Sequence, residues 1–99
     1  MKVEFTAAAE RELDEAVSFF ETRRTGLGLA FAAEVALAVS RIEQYPHAWQ
    51  SLAGDTRRCL LRKFEYGLVY RVRDDTATIY AVMHLRRRPT YWRKRLRAD

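Results

Sequence analysis

The chain has 99 residues, 48% of them hydrophobic, and a net charge of +5 at neutral pH, which describes one small domain with a modest core. No stretch approaches the roughly 20 apolar residues of a bilayer-crossing helix, the amino terminus lacks the apolar region of a secretory signal, and the lone Cys59 excludes an internal disulfide framework, so a cytoplasmic location is expected. Residues 1–55 hold five Lys/Arg against nine Asp/Glu and residues 56–99 thirteen against four, so the second half would receive a polyanion or an acidic protein partner.

Lys2 to Phe5 alternates polar and apolar residues and predicts a short strand. Thr6 stands where a helix N-cap belongs, and Ala9, Leu13, Ala16, Val17 and Phe20 recur at helical spacing to about Arg24. Glu10, Glu12, Asp14 and Glu15 fill the first turns, where the helix dipole favours anions. After Thr25-Gly-Leu-Gly28 a second helix is predicted from about Leu29 to Gln44, with Phe31, Val35, Ala38, Val39 and Ile42 on one face. So short a connection makes the two helices an antiparallel hairpin.

Tyr45-Pro46 ends that helix, and a loop is expected to about Asp55. Arg57–Phe64, Leu68–Arg73 and Thr76–Leu85 read as three strands of an antiparallel meander, separated by Glu65-Tyr66-Gly67 and Asp74-Asp75. Alternation places Tyr66, Leu68, Tyr70 and Val72 on one face of their strand. It likewise groups Ile79, Ala81, Met83 and Leu85 against Thr78, Tyr80, Val82 and His84. Thr90 to Arg97 predicts a short basic helix. These elements make a single α+β domain over residues 1–99, an N-terminal strand and a helical hairpin packed on one face of a small antiparallel sheet.

Candidate functional residues gather in the basic half. His84 could serve as a general acid or base beside Arg86, Arg87 and Arg88, or could simply hold the C-terminal segment through a backbone hydrogen bond. Arg57, Arg58, Arg62 and Lys63 on one predicted strand, with Arg71 and Arg73 on the next, would form a basic surface for phosphate contact. Tyr91 could stack on a base, whereas Trp92 reads as a core anchor for the tail. No spacing of histidines, cysteines or carboxylates suits a metal, no glycine-rich phosphate loop follows a strand, and no cofactor is implied.

His84-x-x-Arg87-x-Pro89-x-Tyr91-Trp92-x-x-Arg95, preceded by Arg57-Arg58-x-Leu60, Phe64-x-Tyr66 and Tyr70-Arg71-Val72, resembles the pattern of the RelE/ParE superfamily of type II toxin–antitoxin toxins. The resemblance spans nearly the whole chain. It implies a bacterial, plasmid stabilisation-like growth inhibitor held in a hetero-oligomer by a cognate antitoxin. RelE-like members cut messenger RNA on the ribosome, and for that activity the matching positions here are Arg87, Tyr91, Arg62 and Lys63. ParE-like members inhibit DNA gyrase. Gly67 stands where RelE-like nucleases carry an arginine after the strand-opening tyrosine, and Glu65 where relatives commonly have proline. With the long hairpin, these departures favour the ParE branch. The remaining basic residues, Arg57, Arg58, Arg71, Arg73, Arg86, Arg88 and Arg95, would then contact target or antitoxin. A nucleic-acid-binding domain without toxicity is the third reading.

Overall fold

Local capping determines where the hairpin starts and turns. The computed structural model describes residues 1–98. Strand β1 (Lys2–Phe5) leads to Thr6, whose side-chain oxygen accepts the Ala9 N–H at 3.1 Å and opens helix α1 (Ala7–Arg23). Helix α2 (Leu27–Gln44) begins two residues earlier than expected. Its N-cap, Gly26, sits in the left-handed region at φ 88° and offers no side chain, so the cap comes from α1. The Glu21 carboxylate accepts the Gly26 and Gly28 N–H groups at 3.0 Å. Gly28, which reads as a helix breaker, lies inside α2, where the approach of α1 requires a glycine: a Cβ there would stand 2.5 Å from the Val17 carbonyl oxygen.

The sheet is mixed where a wholly antiparallel one was expected. Its strand order is β1-β5-β4-β3-β2, with β2 (Gln50–Ser51), β3 (Arg57–Leu60), β4 (Tyr66–Arg73) and β5 (Thr76–His84). The meander from β3 to β5 is antiparallel as the hairpin-length turns require. β1 instead pairs parallel to β5, Lys2 opposite Thr76 through Phe5 opposite Ile79, because the helical hairpin returns the chain across the sheet before the meander begins. The two-residue β2, too short to show alternation, lies in the expected loop and pairs with β3.

Three strand limits differ from the sequence reading, β5 ending one residue early at His84. β3 stops at Leu60 and β4 starts at Tyr66, so Arg62 and Lys63 lie in the connecting bend rather than on a strand. Gly67, expected in the turn, is a paired strand residue between Leu60 and Met83. The Arg58 side chain crosses over it, and a Cβ at Gly67 would meet Arg58 Cγ at 2.9 Å.

A β-bulge divides the core in two. Val69 pairs with Ala81 but Tyr70 pairs with Ile79, leaving Tyr80 as an extra residue on β5. The insertion reverses which face each later residue points to. Ile79 and Val82 therefore belong to the main core under the helices, with Phe31, Ile42, Leu68 and Tyr70. Ala81 and Met83, expected beside Ile79, project to the other face and pack with Val69 and Trp92. That second face is covered by the C-terminal segment, whose helix is a 3-10 turn (Arg93–Ala98).

Gly28→Ala is expected to destabilise the fold by about 1–3 kcal/mol in urea unfolding, since backbone must move to admit the methyl group. A loss below about 0.5 kcal/mol would show that the hairpin contact is slack.

Candidate functional site

β1 pairs with β5 only as far as Ile79, so β5 continues with its outer edge open. Glu12, one helical turn into α1, fills that position. Its Oε1 accepts the Val82 N–H at 3.0 Å and an Arg95 Nη1–H at 3.0 Å, while Oε2 accepts Arg95 Nη2–H at 3.0 Å and the Tyr91 hydroxyl at 2.8 Å. Arg95 is thus held bidentately, and its Nη1 also donates to the Tyr80 carbonyl at 2.9 Å. Arg87 adds an ion pair to Glu12 at 3.6 Å, and its guanidinium lies 3.7 Å from the Tyr91 ring centroid. The Glu12 side chain is 12% exposed, so these bonds form where water screens them little.

This assembly joins α1, β5 and the C-terminal segment around a hollow of about 230 Å³ lined by Glu12, Glu15, Phe19, Tyr66, His84 and Arg87, among others. His84 Nδ1 accepts the Arg86 N–H at 3.0 Å, which leaves the neutral ring's proton on Nε2. Its ring meets Tyr66 edge-on at 5.0 Å between centroids. Tyr66 in turn belongs to an aromatic cluster with Phe20 and Phe31.

The other sequence candidates are dispersed. Arg62 lines a separate hollow on the β3 side with Arg41, Trp49, Gln50, Arg58 and Leu60. Lys63 is exposed in the same bend. Arg57 donates to the Trp49 carbonyl at 2.8 Å and Arg58 to Gln50 Oε1 at 2.9 Å, so both brace the short β2. Arg71 is buried, donates to the Tyr80 hydroxyl at 3.1 Å and faces Asp55 at 3.9 Å. It is therefore not part of the open basic surface its position suggested. Arg73 reaches Asp55 at 3.6 Å and Arg86 reaches Glu65 at 3.6 Å, both exposed pairs. Arg88 is exposed beyond β5. Trp92 is 1% exposed, the anchor its position implied.

With this geometry in place, the family comparison is direct. The family model of the ParE toxin of type II toxin–antitoxin systems, parDE, matches residues 3–89. The chain belongs to the ParE toxin family. A solved structure described as the chromosomal ParDE TA system from P. aeruginosa superposes with a TM-score of 0.67 at 15% identity, over 86% of this chain and 96% of that one. That likeness concerns the fold. No curated protein sequence matches. The matched residues of this ParE-family chain run from β1 through Pro89, and the anchor residues Tyr91, Trp92 and Arg95 follow them.

Sequence reasoning missed Glu12, which reads as one of several carboxylates at a helix start. The available signal was its place on the same helical face as Ala9 and Ala16, both of which are buried. An acidic residue on a core-facing stripe requires a partner. Among the described residues no group of three or more His, Cys, Asp or Glu is placed to hold a metal, and no helix is long and apolar enough to cross a membrane.

Burial raises the titration of several groups. Tyr91 is pushed well above its ordinary value of 10.0, first by burial and then by its hydrogen bond to Glu12. Tyr70 is pushed up to about 12, by burial first, and Tyr66 and the Cys59 thiol are raised for the same leading reason. A group whose pKa is higher in the folded chain contributes stability fully below its unfolded pKa and loses it as pH rises through the folded value. Unfolding free energy should therefore hold level to about pH 8 and fall steadily from about pH 9 to 12. Urea titrations across that range check this, and an unchanged midpoint at pH 11 would contradict it.

Proposed function

We propose that this ParE-family chain is a toxin that acts by binding, inhibiting DNA gyrase without bond-making chemistry of its own, and that a cognate antitoxin neutralises it. The observation that carries the reading is the state of Tyr91. Its hydroxyl is donated to Glu12 at 2.8 Å, and burial and that bond both hold it protonated. A phenol so engaged is neither a ready base nor a free acid. Arg87, the cation nearest it, also pairs with Glu12, and Arg62 lines a different hollow.

Gly67 supports the same reading. The resemblance to RelE-like nucleases requires an arginine there, but Arg58 already occupies the space over that position. An antitoxin suits the hairpin's exposed apolar residues, Phe19 on α1 and Leu29 and Leu37 on α2, and the stretch Leu29–Ala33 carries no charge. A segment folding onto it would bury that surface as it orders.

Purified chain is expected to inhibit supercoiling by gyrase at micromolar concentration, with Tyr91→Phe retaining the inhibition to within about threefold, since no proton transfer is required of the phenol. Undiminished supercoiling together with cleavage of translated messenger RNA on induction would replace this reading with the nuclease one. Co-expression of the neighbouring reading frame should restore growth if it encodes the antitoxin.

A further inference from the structure

The C-terminal 3-10 segment has an inner and an outer side. Trp92 is buried against Val69, Ala81 and Met83, Leu96 packs on the same cluster, and Arg95 is fixed on Glu12. Between these anchors Arg93, Lys94 and Arg97 face outward and are exposed, because three residues per turn set Lys94 and Arg97 one above the other. With Arg88, Thr90 and Tyr91 they line one hollow of about 390 Å³, with no carboxylate among the described residues on its wall.

Among the described residues no acidic group pairs with the charge there. Arg71, Arg73, Arg86, Arg87 and Arg95 each have an acidic partner. Arg88, Arg93, Lys94 and Arg97 have no ion pair among the described residues. Four like charges around one concavity repel one another and focus a positive field into it. The anchors that hold them there are indifferent to those charges, so a bound anion would relieve the repulsion.

We propose that this concavity is a binding surface for the phosphodiester backbone of duplex DNA, with Arg88, Arg93, Lys94 and Arg97 contacting phosphates and the Thr90 hydroxyl available as a further donor. A duplex is favoured over single strands because no aromatic among the described residues at this concavity is free to stack on a base. Trp92 is buried, and the Tyr91 ring is covered by Arg87 at 3.7 Å with its hydroxyl engaged. The surface therefore reads backbone charge rather than sequence. The proposal is independent of gyrase inhibition, since a chain with no effect on supercoiling could still bind DNA by this face.

Fluorescence anisotropy with a labelled 20-base-pair duplex, at several salt concentrations, tests it on the full chain. Wild-type binding should weaken with salt, and the combined variant Arg88→Gln, Arg93→Gln, Lys94→Gln, Arg97→Gln should lose at least tenfold in affinity at low salt. Its log–log salt slope should be shallower by about 0.9 per phosphate contact removed. Arg23→Gln with Arg24→Gln, at the far end of α1, should change affinity by less than twofold. The single variants Arg93→Gln and Lys94→Gln keep the test decisive should the combined variant fail to fold, each expected to cost about two- to fivefold. Equal affinity of the combined variant and wild type for the duplex would overturn the proposal. So would tighter binding to polyglutamate, which would mark an acidic peptide site, or to a single-stranded RNA of equal length.

Discussion

One carboxylate closes the open side of this fold. β5 is longer than its parallel neighbour β1, and past Ile79 its edge would present unpaired backbone groups between a helix and a tail. Glu12 takes the Val82 N–H and Arg95 takes the Tyr80 carbonyl, while the two side chains hold each other. The pair thus stands in for the missing strand. Because Arg95 and Tyr91 belong to the C-terminal segment, the same contact fixes that segment across the second face of the sheet, with Trp92 seated beneath it.

The bulge at Tyr80 and this clasp depend on each other. The extra residue sends Ala81 and Met83 to the face away from the helices, creating the apolar seat for Trp92. It also places Tyr80 where its carbonyl meets Arg95 and its hydroxyl meets Arg71. Without the bulge, uninterrupted alternation would carry Ala81 and Met83 under the helices beside Ile79. Tyr80 and Val82 would then take their place on the tail face, and the seat that fits Trp92 would be lost.

Much of the architecture was legible because it is written in local chemistry. Thr6, the helical spacing from Ala9 to Phe20, Pro46 and the Asp74-Asp75 turn each act within a few residues, and each appears where its chemistry predicts. The differences arise where a distant atom decides. Gly28 and Gly67 look like breaks, yet each admits a neighbour, the Val17 carbonyl in one case and the Arg58 side chain in the other. The bulge is invisible to alternation because nothing in Ile79-Tyr80-Ala81 marks which residue will be extra. The parallel pairing of β1 likewise follows from the whole chain path.

For the candidate site the same distinction applies. The family pattern around His84, Arg87, Tyr91 and Trp92 draws attention to the segment that the clasp holds. What it could not convey is that Glu12, 79 positions before Tyr91, holds Arg87, Tyr91 and Arg95 together. A run of cations that reads as one basic tail is in fact two populations. Arg87 and Arg95 face inward to a shared carboxylate, and Arg88, Arg93, Lys94 and Arg97 line an open concavity. Charge counts treat them alike, while burial and pairing separate structure from recognition.

The clasp between α1 and the C-terminal segment is tested most directly by a double-mutant cycle on Glu12 and Arg95, using Glu12→Gln, Arg95→Gln and the pair together. Urea unfolding should give a coupling energy of about 2 kcal/mol or more, because either single change leaves a largely buried charge without its bidentate partner. Additivity within about 0.5 kcal/mol would contradict the account, and the C-terminal segment would then be held chiefly by the apolar contacts of Trp92 and Leu96.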